Sequence, residues 1–185
     1  MILPTAYLPS VGWYKSFLQE DSKIEIYESF PKQTARNRCR IAGPNGIQML
    51  SVPVCKCEHK QLTKDVEISY QTKWQHQHWQ ALVSAYNNTP FFIYYQDFFF
   101  PFYQKQFRFL IDLNEQLIDT IQTLINPNNI KTINYTSTFE DNTTQTPPFL
   151  PKPYYQIFAQ DKSFTPDLSI VDLLFNMGQE SILYL

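Results

Sequence analysis

Arg36, Arg38 and Arg40 occupy alternate positions in Thr34 to Ile41, a stretch whose polar and apolar residues alternate. In an extended strand residues two apart share a face, so three guanidinium groups would project together while Asn37, Cys39 and Ile41 project oppositely. Guanidinium forks match phosphate and carboxylate oxygens two at a time. Such a face would take a phosphorylated or carboxylated small molecule, a nucleotide sugar among them, with Lys32 and Gln33 extending the site. The competing reading is a solvated face whose arginines pair with Glu25 and Glu28 of the preceding strand. Asn37, on the more apolar side, would need partners for its amide and reads as structural.

Other residue patterns suggest further chemistry. The turn Leu8-Pro9-Ser10-Val11-Gly12 ends a strand and opens a helix, so it would turn backbone N–H groups toward an anion and could cooperate with the arginines. Trp74 and His78 are one helical turn apart, which sets an imidazole beside an indole as a candidate general base, while His76 points elsewhere. A packed, hydrogen-bonded histidine is the plainer alternative. Cys55, Cys57 and His59 alternate as zinc ligands could, but a fourth ligand is missing, the spacing is not that of a zinc knuckle, and no metal or other cofactor is expected. Cys39 among arginines could be a nucleophile, although its side chain should face away from them. Asp112, Glu115 and Asp119 lie opposite a leucine stripe and read as a solvated helix face. Asp172 lies inside the last helix, facing either water or a pocket.

These residues need a frame. Met1 to Tyr7 reads as a strand, Val11, Tyr14 and Leu18 as a helix, and Lys23 to Tyr27 as a strand with Ile24 and Ile26 inward. Thr34 to Ile41 and Ile47 to Val54 form a hairpin about Gly43-Pro44-Asn45-Gly46. Asp65 to Tyr70 is a fourth strand and Lys73 to Tyr86 a helix. Pro90 to Phe102 is a buried helix or dense core segment, and Phe107 to Ile125 is an amphipathic helix with Leu110, Leu113, Leu117, Ile121 and Leu124 inward. Lys131 to Phe139 is one more strand, and 140–153 a polar loop. A last helix starts at Thr165-Pro166-Asp167, buries Leu168, Val171, Leu174 and Phe175, and stops at Gly178. The expected fold is α/β, a mixed sheet with packed helices in a single domain over 1–185, with α+β as the alternative.

Composition bounds the function classes. With 43% hydrophobic residues, including 15 Phe and 12 Tyr, an aromatic-rich core is expected in place of a disordered chain. A net charge of −2 argues against the broad positive field of a duplex-DNA binder, and lowers a reading as a single-strand RNA binder that stacks bases on tyrosines. The apolar stretch at Pro90 is too short to cross a bilayer, so no membrane insertion is expected. No secretory signal opens the chain, and three cysteines without framework spacing fit a reducing, cytoplasmic compartment. Nothing in the sequence reports an oligomeric state.

The residues Pro4 to Tyr14, Lys32 to Ile41, Asn45-Gly46 and Leu50 to Val54 together resemble the WbqC-like family of bacterial proteins. Trp74 with His78, Tyr86 with Pro90-Phe91-Phe92, and Leu168 to Asn176 are similar to later segments of the same family. The family's recurrent Tyr-Leu-Pro turn, Asn-Arg pair, helical Trp and His, and Val-Pro-Val strand fall here on Tyr7, Leu8, Pro9, Asn37, Arg38, Trp74, His78 and the strand ending at Val54. Ser51 stands where threonine is common, and Met1 to Pro4 replaces an Ile-x-Gln-Pro opening. Members are often associated with genes for surface polysaccharides and O-antigen sugars. The resemblance therefore implies a cytoplasmic step on a sugar, nucleotide sugar or activated acyl group, and the leading expectation from the residues together is a transferase with substrate held between Tyr7, Ser10, Arg36, Asn37, Arg38, Arg40 and Trp74 and with His78 moving the proton. The rival is a non-catalytic binding or assembly protein that docks a partner on the basic strand.

Overall fold

Pro9 cannot continue a strand ladder and Ser10 can cap a helix, and the chain changes course between them. In the computed structural model, which describes residues 1–139, 149, 151–159 and 163–185, a short strand β1 (Ile2–Pro4) gives way to helix α1 (Val11–Phe17). The Ser10 hydroxyl oxygen accepts from Trp13 N at 3.3 Å, satisfying one orphan donor of the first turn. The chain returns in β2 (Lys23–Glu25), which lies parallel to β1 with Leu3 beside Ile24. Residues 134–136 flank β2 on its other edge: Ile24 N donates to Asn134 O at 2.7 Å and Thr136 N to Ile24 O at 3.0 Å.

The second pair of strands is the hairpin expected from its turn. Strand β3 (Arg38–Gly43) runs antiparallel to β4 (Gly46–Ser51), with Arg38 opposite Ser51 and Gly43 opposite Gly46. Gly46 has φ 113°, a conformation that glycine adopts without a side-chain clash. The helices follow as α2 (Trp74–Tyr86), α3 (Phe92–Phe99), α4 (Leu110–Ile125) and α5 (Ile170–Met177). Helices and strands thus combine in a mixed α/β fold, the strands pairing as one parallel and one antiparallel couple.

The core forms where the apolar stripes meet. The five inward positions of α4 named from the sequence are all buried, and so is every residue of α5 from Ile170 to Asn176. Phe175 is ringed by Tyr86, Phe92 and Phe99 at centroid distances of 5.2, 5.1 and 5.3 Å, so the aromatic-rich composition is spent on the interface of α2, α3 and α5. Asp172 faces this interior. Its carboxylate accepts from the Tyr154 hydroxyl at 2.6 Å and from Gln156 Nε2 at 3.2 Å, and burial raises its pKa above the ordinary carboxylate value.

Several expected elements are corrected. Thr34 to Asn37 is a turn, and the strand starts only at Arg38. Residues 65–70 and 131–139 make isolated bridges, Val54 with Ile68, Glu67 with Phe109 and Ile24 with Tyr135, instead of strands; each is a single alignment that does not extend into a ladder. In β2 the alternation fails because Glu25 is fully buried, its Oε1 accepting from Tyr27 N at 2.6 Å and Thr136 Oγ1 at 3.1 Å. The Pro90 to Phe102 segment is helical but not wholly buried: Phe92 and Phe99 face inward, while Ile93, Tyr94 and Phe98 are exposed. The last helix starts at Ile170 with Ser169 as its cap, because Asp167 adopts φ 53° and holds the Thr-Pro-Asp segment out of the helix. Much of the polar loop at 140–153 lies outside the described residues. Among the described residues, no helix is long and apolar enough to cross a membrane.

Candidate functional site

Three segments far apart in sequence are laced together by backbone hydrogen bonds. Ser169 N donates to Arg40 O at 2.8 Å, Val11 N to Leu168 O at 3.0 Å, Ile170 N to Pro9 O at 2.7 Å, and Tyr7 N to Ala35 O at 3.0 Å. The Ser169 hydroxyl donates to Leu8 O at 2.8 Å. Residues 7–10, 35–40 and 167–169 therefore stand side by side, and a cavity of about 320 Å³ opens among them, at the lower end of the range of small-molecule sites. Arg38, Cys39, Arg40 and Met49 of the hairpin line it, with Gln33 and Thr34 of the turn before β3 and, as a second wall, Ser10, Asp167 and Ser169.

Of the three arginines, two reach this cavity. Arg36, in the turn before β3, donates through Nε to Glu28 Oε1 at 2.5 Å, and both side chains are about nine-tenths buried. The expected pairing with Glu28 thus holds for Arg36. Arg38 and Arg40 remain: among the described residues neither has a carboxylate partner, and Arg38 Nε is buried without an acceptor. A buried N–H of a cation left unpaired costs desolvation energy, which an anionic ligand would recover. Asn37 does not reach the cavity. Its amide donates to Val52 O at 2.9 Å, and its backbone oxygen accepts from Val52 N at 2.8 Å, so it ties the turn to the segment that follows β4.

The turn at Ser10 does not present free N–H groups, contrary to expectation. Its first-turn donors are spent on Leu168 O, on Asp167 Oδ1 at 2.9 Å, and on the Ser10 side chain and backbone oxygens. Asp167 is the anion at this helix end. Gly12 allows its approach: a Cβ there would meet Asp167 Oδ1 and Phe149 Cβ at 3.0 Å each.

Tyr7, Trp74 and His78 meet in a second, buried cluster one layer from the cavity. The Tyr7 hydroxyl is 2.9 Å from His78 Nδ1 and 3.0 Å from the Tyr103 hydroxyl, and the Trp74 and His78 rings stack edge-on at 5.1 Å. Burial lowers the His78 pKa to about 4, opposed by a hydrogen bond to the Ser51 backbone, so the imidazole is neutral at pH 7. Burial raises the Tyr7 hydroxyl pKa, with the neighbouring Tyr103 adding to the shift. Cys39, between the two arginines in β3, is buried although it borders the cavity, and burial lifts its thiol above the usual range, which disfavours the thiolate a nucleophile needs.

Sequence reasoning missed Asp167 and Ser169 as cavity residues because Thr-Pro-Asp and Ser are also ordinary helix-start signals, and it missed Tyr103, whose aromatic run gave no hint of a polar partner. Among the described residues, no cluster of three or more His, Cys, Asp or Glu could hold a metal ion, so Cys55, Cys57 and His59 do not converge on one. A larger cavity of about 450 Å³ beside Gln122 and Asn126 has its cation already engaged: Lys131 Nζ donates to Phe17 O and Ser22 Oγ at 2.8 and 2.6 Å.

The segments that build the hairpin wall, the Tyr7 turn and the histidine helix fall within residues 5–150, and this span matches the family model of the WbqC-like proteins. The chain belongs to the WbqC-like protein family. It is also 32% identical over 124 residues to the uncharacterized protein Rv1507c of Mycobacterium tuberculosis, covering 65% of this chain and 53% of that protein. The chain thus spans about half the length of the curated relative it matches. No solved structure matches it. Within the family frame, Arg38 and His78 lie inside the matched span, whereas Asp167 and Ser169 lie beyond it.

Proposed function

We propose that this WbqC-like chain is a cytoplasmic, single-domain protein that binds a small phosphorylated or carboxylated molecule in the cavity between Ser10 and Arg38. The observation that carries this reading is the pair of arginines, Arg38 and Arg40, facing a cavity with no carboxylate bound to either among the described residues. Two guanidinium groups on one wall match the oxygens of a single phosphate or carboxylate. The family's association with surface-polysaccharide genes supports group transfer on an activated sugar, with the anionic end of the donor in the cavity. In that reaction His78 is the proton-transfer candidate. Neither His78 nor Tyr7, whose hydroxyl is hydrogen-bonded to His78 Nδ1, lines the cavity, so a proton from this pair would have to be relayed to the ligand.

Thermal unfolding with and without inorganic phosphate or a nucleotide sugar tests this. At ligand near 100 times Kd, mass action stabilises the folded state by about 2.7 kcal/mol, which raises the midpoint of a domain this size by about 5–10 °C. The shift is expected in the wild type and absent in Arg38→Ala; an equal shift in both removes the reading. A second reading, a non-catalytic assembly protein, draws on the outer face of α3, where Ile93 and Tyr94 are 65% and 70% exposed. Sedimentation of the purified chain with Tyr94→Glu as control separates the two.

A further inference from the structure

The cavity has two walls of opposite character, and the anion reading uses only one. Asp167 lines the same cavity as Arg38 and Arg40, and its carboxylate would repel a bare anion. One of its oxygens is committed to Gly12 N at 2.9 Å. The other accepts no hydrogen bond from any described residue. Ser10 beside it accepts from Trp13 N through its hydroxyl oxygen, but its O–H has no described acceptor. Ser169 is different: its proton is spent on Leu8 O and its oxygen accepts from Val171 N at 3.4 Å. This part of the lining therefore offers one unfilled acceptor, the Asp167 carboxylate, and one unfilled donor, the Ser10 hydroxyl. A sugar hydroxyl is donor and acceptor at once, and vicinal hydroxyls can serve both.

Building on the anion-binding reading, we propose that Asp167 is a specificity-determining residue which recognises a hydroxyl of the ligand while Arg38 and Arg40 hold its anionic group, so that the site selects a glycosyl phosphate over an anion lacking hydroxyls. The position is held rigidly for this task. Asp167 sits at φ 53°, pinned by the Gly12 N–H on one side and followed by the Leu168 and Ser169 backbone bonds on the other. Asp167 is only partly buried, and a charge-assisted hydrogen bond to its carboxylate is worth enough to discriminate by about tenfold against an analogue that cannot make it.

Calorimetric titration with inorganic phosphate, phenyl phosphate and glucose 1-phosphate tests the assignment on the full chain and on Asp167→Asn. Asparagine tolerates the same positive φ and its amide oxygen can still accept from Gly12 N, so the fold of the turn is kept. The wild type should bind glucose 1-phosphate about tenfold more tightly than phenyl phosphate. In Asp167→Asn that preference should fall below about threefold, because with the amide oxygen held by Gly12 N the group left for the ligand is an N–H donor in place of a carboxylate acceptor, while inorganic phosphate binds severalfold more tightly once the opposing charge is gone. A preference that survives in Asp167→Asn, or that is absent from the wild type while phosphate still binds through Arg38, overturns the role of Asp167 and leaves the anion site standing. Absence of binding by all three probes overturns the anion site and this inference together.

Discussion

Acidification provides the sharpest test of the buried histidine. His78 is 5% exposed, and burial lowers its pKa from 6.5 to about 4. Between these values the unfolded chain binds a proton that the folded chain refuses. Stability therefore rises with pH across this window: the histidine penalty is absent above about pH 6.5, grows as pH falls, and is complete near pH 4. A gap of this size corresponds to about 3 kcal/mol, a large share of the stability of an ordinary domain. His78→Gln keeps a side chain able to accept from the Tyr7 hydroxyl but removes the titration. Urea unfolding of both proteins at pH 7.5 and pH 4.5 gives the answer as a difference of differences, in which Asp172 and the other acidic groups cancel. The wild type should lose about 2–3 kcal/mol more than the variant on acidification. Parallel losses in the two proteins would refute the argument, because they would mean that the imidazole titrates alike in the folded and unfolded chains.

The buried ion pair gives a contrasting prediction. Arg36→Ala strands the Glu28 carboxylate and should cost about 3–5 kcal/mol in urea unfolding, while phosphate affinity in the surviving folded protein stays within about twofold, since Arg36 does not line the cavity. At Gly178, φ is 59° and a Cβ would meet the Phe91 ring at 2.6 Å. Gly178→Ala should therefore cost about 2–4 kcal/mol by thermal melting, from backbone strain and overpacking together, and a midpoint unchanged from wild type would show that the ring moves aside freely.

The sequence carried the helices better than the strands, for a physical reason. In α4, five leucines and isoleucines at steps of three and four can bury together only as a helix, and they do. Strand patterns are weaker, because alternation says nothing about the neighbour that must complete the ladder. Ile68 and Tyr135 each find one bridging partner and no more. The site was half legible for the same reason. Arg38 and Arg40 share a face because they lie in β3, where alternation holds, but Arg36 falls in the turn before it, and the eight-residue return to Glu28 was not readable from spacing. The part of the lining from Asp167 and Ser169 was not legible at all. Nothing in Thr165-Pro166-Asp167 announces that its carboxylate will cap a helix starting more than 150 residues earlier.

That last contact has a consequence for the order in which the molecule acquires its parts. Both strands of the arginine hairpin, and the loop closing it, lie within 14 residues of one another and can pair soon after they leave the ribosome. The cavity cannot form then, because the hydroxyl of Ser169 reaches back across 161 residues to Leu8 and the carboxylate of Asp167 across 155 to Gly12. Contacts of such long range are made late, after the rest of the chain has repaid the entropy of closing the loop. A nascent chain halted before residue 167 would carry Arg38 and Arg40 without the Asp167 and Ser169 side of the cavity and a first helix capped by Ser10 alone, and the cavity would be completed only when synthesis resumed.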